Sequence, residues 1–358
     1  MDVVVENSAS ILQKIYQNER ITRQDAVQLF YSADLLELGL AADSVRRKFH
    51  PEPEVTYIVD RNINYTNVCY VECSFCAFYR SSLESDSYLH GLDVLDKKIE
   101  ETMALGGTGI LLQGGLHPEL KLEWYEGLLR HFKTKFPSTW IHGFSPPEIT
   151  NICKVSKLPL RTVMKRLVTA GLDSLPGGGG EILVDRVRKI ISPRKCMTEE
   201  WLAVHEETHR LKLRSSATMM FGHVETLEER VEHLQKIRDL QDRTNGFMSF
   251  ICWTFQPENT LLTCPTSTAT DFLKTLAISR IFLDNIENVQ SSWLTQGLKL
   301  GQVALQFGAN DMGSVMIEEN VVSAAGANFQ ATEEDLRRLI RDAGYTPLKR
   351  DTIYRLVN

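Results

Sequence analysis

The chain has 358 residues, of which 43% are hydrophobic and 24% charged, with a formal net charge of −6 from 40 basic and 46 acidic side chains. That balance supplies a large core and argues against a broad nucleic-acid footprint, which needs clustered excess positive charge. No apolar run approaches the ~20 residues of a membrane span, and the first ten residues lack the basic and apolar stretches of a secretory signal.

In chain order, residues 8–48 carry helical patterns, with Ile11, Leu12, Ile15 and Tyr16 on one face and Ala26, Val27, Phe30 and Leu36 continuing it. Pro51 and Pro53 then punctuate the chain. From Val55 onward short β-rich runs alternate with amphipathic helical stretches. The expected strands are residues 56–65, 109–115, 139–145, 172–176, 216–222, 247–255 and 288–293. Helices are expected at 92–105, 121–135, 147–170, 182–191, 198–212, 226–242, 268–285, 298–307 and 332–343. Regular alternation of this kind implies a parallel sheet, and the number of repeats favours an α/β barrel over an open sheet. The expected organisation is an N-terminal helical extension (1–50), a barrel (51–330) and a C-terminal helix and tail packed on it (331–358). Chemistry in such barrels sits at the C-terminal strand ends.

Three cysteines fall within eight residues, Cys69, Cys73 and Cys76, just after the first strand. Three thiolates on one tight loop can hold an iron–sulfur cubane with one iron left open, since full protein ligation takes four. The competing reading is a zinc knuckle completed by His90 or His117, or small buried hydrophobes. The remaining cysteines, Cys153, Cys196, Cys252 and Cys264, are isolated. An odd total of seven points to a reducing, cytoplasmic setting.

The other candidate residues also lie at expected strand ends. Gln113, Gly114 and Gly115 allow close backbone approach to a ligand such as an amino-acid zwitterion, or form an ordinary turn. Ser145 ends the run that holds His142. Gly177 to Gly180 precede Glu181, whose carboxylate can accept from ribose hydroxyls; the alternative is a flexible hinge. His223 and Glu225 form a titratable pair suited to proton transfer, or else cap a strand and a helix. Trp253, Phe255 and Gln256, and Trp293 and Gln296, offer rings and amides to a flat organic substrate, or belong to the core. Asn310, Asp311 and the Glu318–Asn320 stretch either close over a site or lie on the surface.

With Phe75 before the last cysteine, the loop resembles the C-x3-C-x-aromatic-C signature of radical S-adenosylmethionine enzymes. The likeness extends through His142-Gly-Phe-Ser-Pro-Pro-Glu, Pro176-Gly-Gly-Gly-Gly-Glu-Ile-Leu-Val-Asp, Met220-Phe-Gly-His-Val-Glu-Thr, Trp253-Thr-Phe-Gln-Pro, Trp293-Leu-Thr-Gln-Gly and Asn310-Asp-Met-Gly-Ser. Together these span about residues 55–345 and resemble the menaquinone branch that works on futalosine, the dehypoxanthine futalosine cyclases most of all. Where many superfamily members read Gly-Gly-Glu, this chain reads Gln113-Gly-Gly.

The resemblance implies a TIM-type (β/α) barrel of the radical SAM kind. Cys69, Cys73 and Cys76 would hold a [4Fe-4S] cluster, and Phe75, Gln113, Gly114, Gly115, Ser145 and Glu181 would bind S-adenosylmethionine. His142, Trp253, Gln256, Asn310 and Asp311 would face the substrate. It implies hydrogen abstraction at the ribose C4′, radical addition to the benzoate ring, and loss of an electron and a proton. His223 is then the first candidate to take that proton, with Glu225 and Glu181 behind it, and Arg80 a candidate partner for the substrate carboxylate. A reductant such as flavodoxin or ferredoxin is implied. The competing activities are those of aminofutalosine synthase and deazaflavin F0 synthase, and, outside enzymes, an iron–sulfur electron-transfer protein.

Overall fold

A computed structural model describes residues 8–357; residues 1–7 of the expected N-terminal extension, and Asn358, lie outside the described residues. The extension is three helices, Ser8–Tyr16, Arg23–Ser32 and Leu35–Phe49. Thr22 and Asp34 divide them because each caps the helix that follows: Thr22 forms a capping box with Asp25, and the Asp34 carboxylate accepts from the N–H groups of Leu36 and Glu37. Their buried faces, among them Ile11, Leu29 and Val45, join the same apolar cluster as Val55, Phe250 and Leu276.

Ten parallel strands follow: β1 (Glu54–Ile58), β2 (Asn62–Asn64), β3 (Gly109–Gln113), β4 (Trp140–Gly143), β5 (Ser174–Leu175), β6 (Arg214–Phe221), β7 (Phe247–Thr254), β8 (Asn288–Gln290), β9 (Asp311–Ser314) and β10 (Thr346–Lys349). Their order is β10-β1-β9-β8-β7-β6-β5-β4-β3-β2. β1 and β2 are two parts of one run of chain, so the sheet closes on itself there. Residues 58–62 bond the end of β9 on one side, through Val315 N to Ile58 O (3.0 Å) and Ile317 N to Asp60 O (3.2 Å), and β3 on the other, through Leu111 N to Arg61 O (2.9 Å). The result is a TIM-type barrel with helices outside. The expected strands and helices occur within a few residues of their expected limits, with three differences.

The helical stretch 147–170 is two helices, Pro146–Ser156 and Leu160–Ala170. Lys157 is left-handed at φ 54° and Pro159 starts the second helix, so the pattern cannot run through. β9 replaces the expected polar cover or solvated surface at Asn310–Ser314: Asn310 is 1% and Asp311 0% exposed. Its side chains are polar because they bond inside the wall, so no apolar run marks it. The tail holds β10, which pairs beside β1 with Lys349 opposite Tyr57. Beyond it, Arg350, Thr352 and Tyr354 close the floor of the barrel. Among the described residues no helix is long and apolar enough to cross a membrane.

Candidate functional site

The cysteine loop is fixed by its backbone. Cys69 N donates to Arg80 O (2.9 Å), Arg80 N to Asn67 O (2.8 Å) and Ser74 N to Ile191 O (2.9 Å), while Ser74 O accepts from Leu261 N and Leu262 N at 2.8 and 2.9 Å. Glu72 turns the loop at φ 55°. Cys69, Cys73 and Cys76 are unpaired and line one cavity of about 300 Å³ with Phe75, Gly114, Gly115, Ser145, Glu181 and Gln256. Gly115 is required there: an added Cβ would strike the Val68 carbonyl and stand 3.0 Å from Cys69 Cβ. Burial pushes the Cys73 thiol up to about 12, opposed by the nearby Lys195 ammonium. Such thiols release their protons only to a group that brings its own positive charge, as an iron–sulfur cluster does. Among the described residues no three His, Cys, Asp or Glu side chains converge as the ligands of a single ion would.

Two carboxylates shape the same lobe differently. Glu148 accepts from Tyr65 Oη (2.7 Å), Gly114 N (3.0 Å), Ser145 N (2.8 Å) and Ser145 Oγ (2.6 Å). With four donors satisfied, it fixes the Gln113–Gly115 turn and Ser145 rather than a ligand. Glu181, at φ 31°, pairs one oxygen with Lys195 Nζ at 2.9 Å, while its buried Oε2 makes no hydrogen bond and lies 3.5 Å from Arg188 Nη1. A buried acceptor without a hydrogen bond on a cavity wall has room for a donor from a ligand. The glycines before it form a tight, ordered passage rather than a hinge. A Cβ on Gly177 would lie 2.6 Å from Ser216 O, one on Gly178 2.6 Å from Gln113 Nε2, and one on Gly180 2.6 Å from Thr218 O.

A second lobe of about 260 Å³ continues down the barrel to its floor. The two share Asn62, Gln113, Gly178, Trp253, Glu319 and Val322, so they meet at one waist. His142, Trp253 and Trp293 line the lower lobe, where Trp293 Nε1 is held by Ser314 O at 3.1 Å. His142 Nδ1 contacts Ser174 Oγ at 2.7 Å, and burial, with Arg350 adding to it, pushes its imidazole down to about 3. Gln256 Nε2 donates to Thr254 O at 3.0 Å, and Gln296 Nε2 to Thr254 Oγ1 at 2.8 Å.

Gln296 lines neither lobe, and His223, Glu225, Asn310, Asp311 and Arg80 also lie away from the cavity walls. The His223 side chain is 0% exposed, with Nε2 on Met220 O (3.0 Å) and Nδ1 accepting from Val224 N (2.8 Å). Nδ1 also lies 3.0 Å from Glu225 Oε2, and burial lowers the imidazole pKa against the pull of that carboxylate. Glu225 accepts from Gly222 N (2.7 Å) and His223 N (3.0 Å) and pairs with Arg230 (2.9 Å), so the pair caps the strand end. Asn310 Oδ1 accepts from Arg280 (2.6 Å), and Asp311 takes Arg350 through both oxygens at 2.5 and 2.9 Å. Arg80 is spent on Asp86 (2.7 Å) and the carbonyls of residues 77–79.

Sequence reasoning passed over Lys195, Glu148, Asp60, Arg350 and Tyr354. Lys195, Asp60, Arg350 and Tyr354 are isolated in the sequence and reach the cavity only through the fold. The Glu148 signal was present: Ser145 and Glu148 stand at capping-box spacing before a helix.

The radical SAM superfamily profile matches residues 63–237, and that of the CofH/MqnC C-terminal region matches residues 244–358. The chain is 46% identical over 348 residues to a cyclic dehypoxanthine futalosine synthase of Halalkalibacterium halodurans, covering 97% of this chain and 94% of that one. It is 44% identical to a protein of the same description from Streptomyces coelicolor, covering 96% and 87%. At 38% identity it is similar to an aminodeoxyfutalosine synthase of Thermus thermophilus, covering 97% and 95%. Among solved structures, methylornithine synthase superposes with a TM-score of 0.71 at 17% identity, covering 94% of this chain and 97% of that one, a likeness of fold.

Proposed function

The chain belongs to the radical S-adenosylmethionine superfamily, and from that premise we infer that it is a cyclase converting dehypoxanthine futalosine to its cyclic form in menaquinone biosynthesis. The observation that carries this reading is the two-lobed cavity, which joins the three-cysteine loop to an enclosed aromatic chamber. The fit of the thiols, Gly115 and the Glu181 carboxylate supports a [4Fe-4S] cluster and S-adenosylmethionine in the upper lobe. Cys69, Cys73 and Cys76 would ligate the cluster. Gln113, Gly114, Gly115 and Ser145 would hold the amino-acid part of S-adenosylmethionine, Phe75 would wall it, and Glu181 would accept from its ribose. When bound, this pair supplies a carbon-centred radical able to abstract hydrogen.

The chain's own contribution is placement and exclusion. His142, Trp253 and Trp293 give the lower lobe flat walls for an aromatic ring. The waist at Trp253 and Gln113 would hold the substrate ribose below the upper lobe. Glu319, Val321, Val322 and Ala325 wall the upper lobe, and their segment, tied through Ala324 O to Asn259 Nδ2 (3.0 Å), would help exclude water and stray hydrogen donors. Asp311 would serve the substrate indirectly, by holding Arg350 at the floor, and Asn310 would do so by bracing the wall through Arg280 and Asn288. A one-electron donor such as flavodoxin or ferredoxin would serve the cluster, and the unpaired cysteines suit the cytoplasm.

Anaerobically reconstituted protein, given reductant, S-adenosylmethionine and dehypoxanthine futalosine, should yield 5′-deoxyadenosine and a product two hydrogens lighter than the substrate. Formation of an adenosyl adduct from an enolpyruvyl benzoate instead would identify the sister synthase. Absence of 5′-deoxyadenosine would leave only an electron carrier.

A further inference from the structure

Cyclisation leaves one chemical requirement that the residues described so far do not meet. The ring carbon that gains the new C–C bond must lose its hydrogen before the ring is aromatic again. Five titratable side chains line the lower lobe: Asp60, His142, Glu319, Arg350 and Tyr354. Glu319 spends its oxygens on Val321 N (2.9 Å), Val322 N (2.8 Å) and Ser323 N (3.1 Å). His142 is held by Ser174, and its depressed pKa makes it a weak base. Arg350 is a cation locked to Asp311, and Tyr354, its phenol pushed up by burial, lies under that guanidinium at 3.9 Å.

Asp60 differs from all four. It sits at the bend between β1 and β2, on the strand that closes the barrel, so its position is set from both sides. One oxygen accepts from Ser314 Oγ; the other accepts no hydrogen bond from any described residue. The charged neighbours that act on it are Arg350 and Asp311, both across the floor.

We propose that Asp60 is the base of the cyclisation, an assignment that rests on the cyclase reading above. After ring addition, the C–H bond at the newly bonded ring carbon breaks. Its proton goes to the free Asp60 oxygen, its electron pair rejoins the ring, and the surplus single electron leaves to a one-electron acceptor of the iron–sulfur class. Ser314 aims the carboxylate. Burial raises the Asp60 pKa against the pull of Ser314 and Arg350, which strengthens it as a base at neutral pH.

The test compares wild type with Asp60→Asn and Asp60→Glu in the reconstituted holoenzyme. Asp60→Asn should form cyclic product about 100-fold more slowly. It should still consume S-adenosylmethionine, so that 5′-deoxyadenosine exceeds product and an organic radical accumulates in the paramagnetic resonance spectrum. Substrate affinity, read from Trp253 and Trp293 fluorescence, should hold within about twofold, and Asp60→Glu should restore product to within about tenfold of wild type. Cyclisation by Asp60→Asn at the wild-type rate would overturn the assignment. So would equal losses of 5′-deoxyadenosine and product, which would make Asp60 a binding residue. A wild-type protein giving no cyclic product would instead bring down the cyclase reading, and this assignment with it.

Discussion

The two lobes of the cavity are built by opposite means. The upper lobe is made of contiguous stretches, the cysteine loop, Gln113–Gly115 and Gly177–Glu181, held by backbone bonds and by glycines that permit close approach. The lower lobe draws single side chains from almost every strand, and its floor comes from the C-terminal segment through the buried Arg350–Asp311 pair. A cofactor common to many reactions suits a local, motif-like cradle. A substrate particular to one reaction suits a chamber whose walls can change one residue at a time.

Substitutions in the two lobes should therefore fail in different ways. The largest effect belongs to the cysteines: Cys73→Ala should abolish the iron–sulfur absorption after anaerobic reconstitution and leave S-adenosylmethionine uncleaved, with the fold intact by circular dichroism. Next comes the floor. Arg350→Met leaves Asp311 buried and unpaired, a loss of roughly 3–5 kcal/mol by urea denaturation, and adding Asp311→Leu should recover much of it. Cluster loading should survive both, since the floor does not touch the loop.

Acid should expose a third, more diffuse weakness of the barrel. Burial depresses His142 and His233 to about 3 and His209 to about 4. The unfolded chain takes protons at these positions near pH 6.5 and the folded chain does not. Stability is thus full above pH 6.5 and falls as pH drops toward 4, by about 1.4 kcal/mol per unit for each histidine. His205, fully buried, is pushed down in the same direction and adds to the slope. Denaturation titrated by pH should show that slope, and His142→Gln should remove one histidine's share of it. The smallest effect should come from His223→Gln, which leaves the cavity lining untouched and should keep cyclisation within about threefold of wild type. A far larger loss, with substrate affinity unchanged, would return His223 to the proton path.

The contrast between the lobes also explains what was legible beforehand. The barrel followed from apolar runs such as Gly109–Gln113 and Phe247–Thr254, and the cofactor lobe from cysteine spacing and the glycine run. β9 escaped because Asp-Met-Gly-Ser has no apolar pattern, and β10 because its four residues include a proline. His223 looked catalytic because a histidine–glutamate pair at a strand end suits proton transfer, but sequence spacing does not say which way the ring turns. It turns beneath Met220, away from the lumen. Asp60 carried no signal because one aspartate before an arginine looks like any strand end, and only barrel closure places it inside.

Hydrogen abstraction in the upper lobe is joined to ring closure in the lower one. The most direct test is to supply dehypoxanthine futalosine deuterated at C4′ to the reconstituted protein with S-adenosylmethionine. This account predicts one deuterium in each 5′-deoxyadenosine formed, and a cyclic product that has lost it. Cyclic product that keeps its C4′ deuterium, or 5′-deoxyadenosine free of it, would contradict the account.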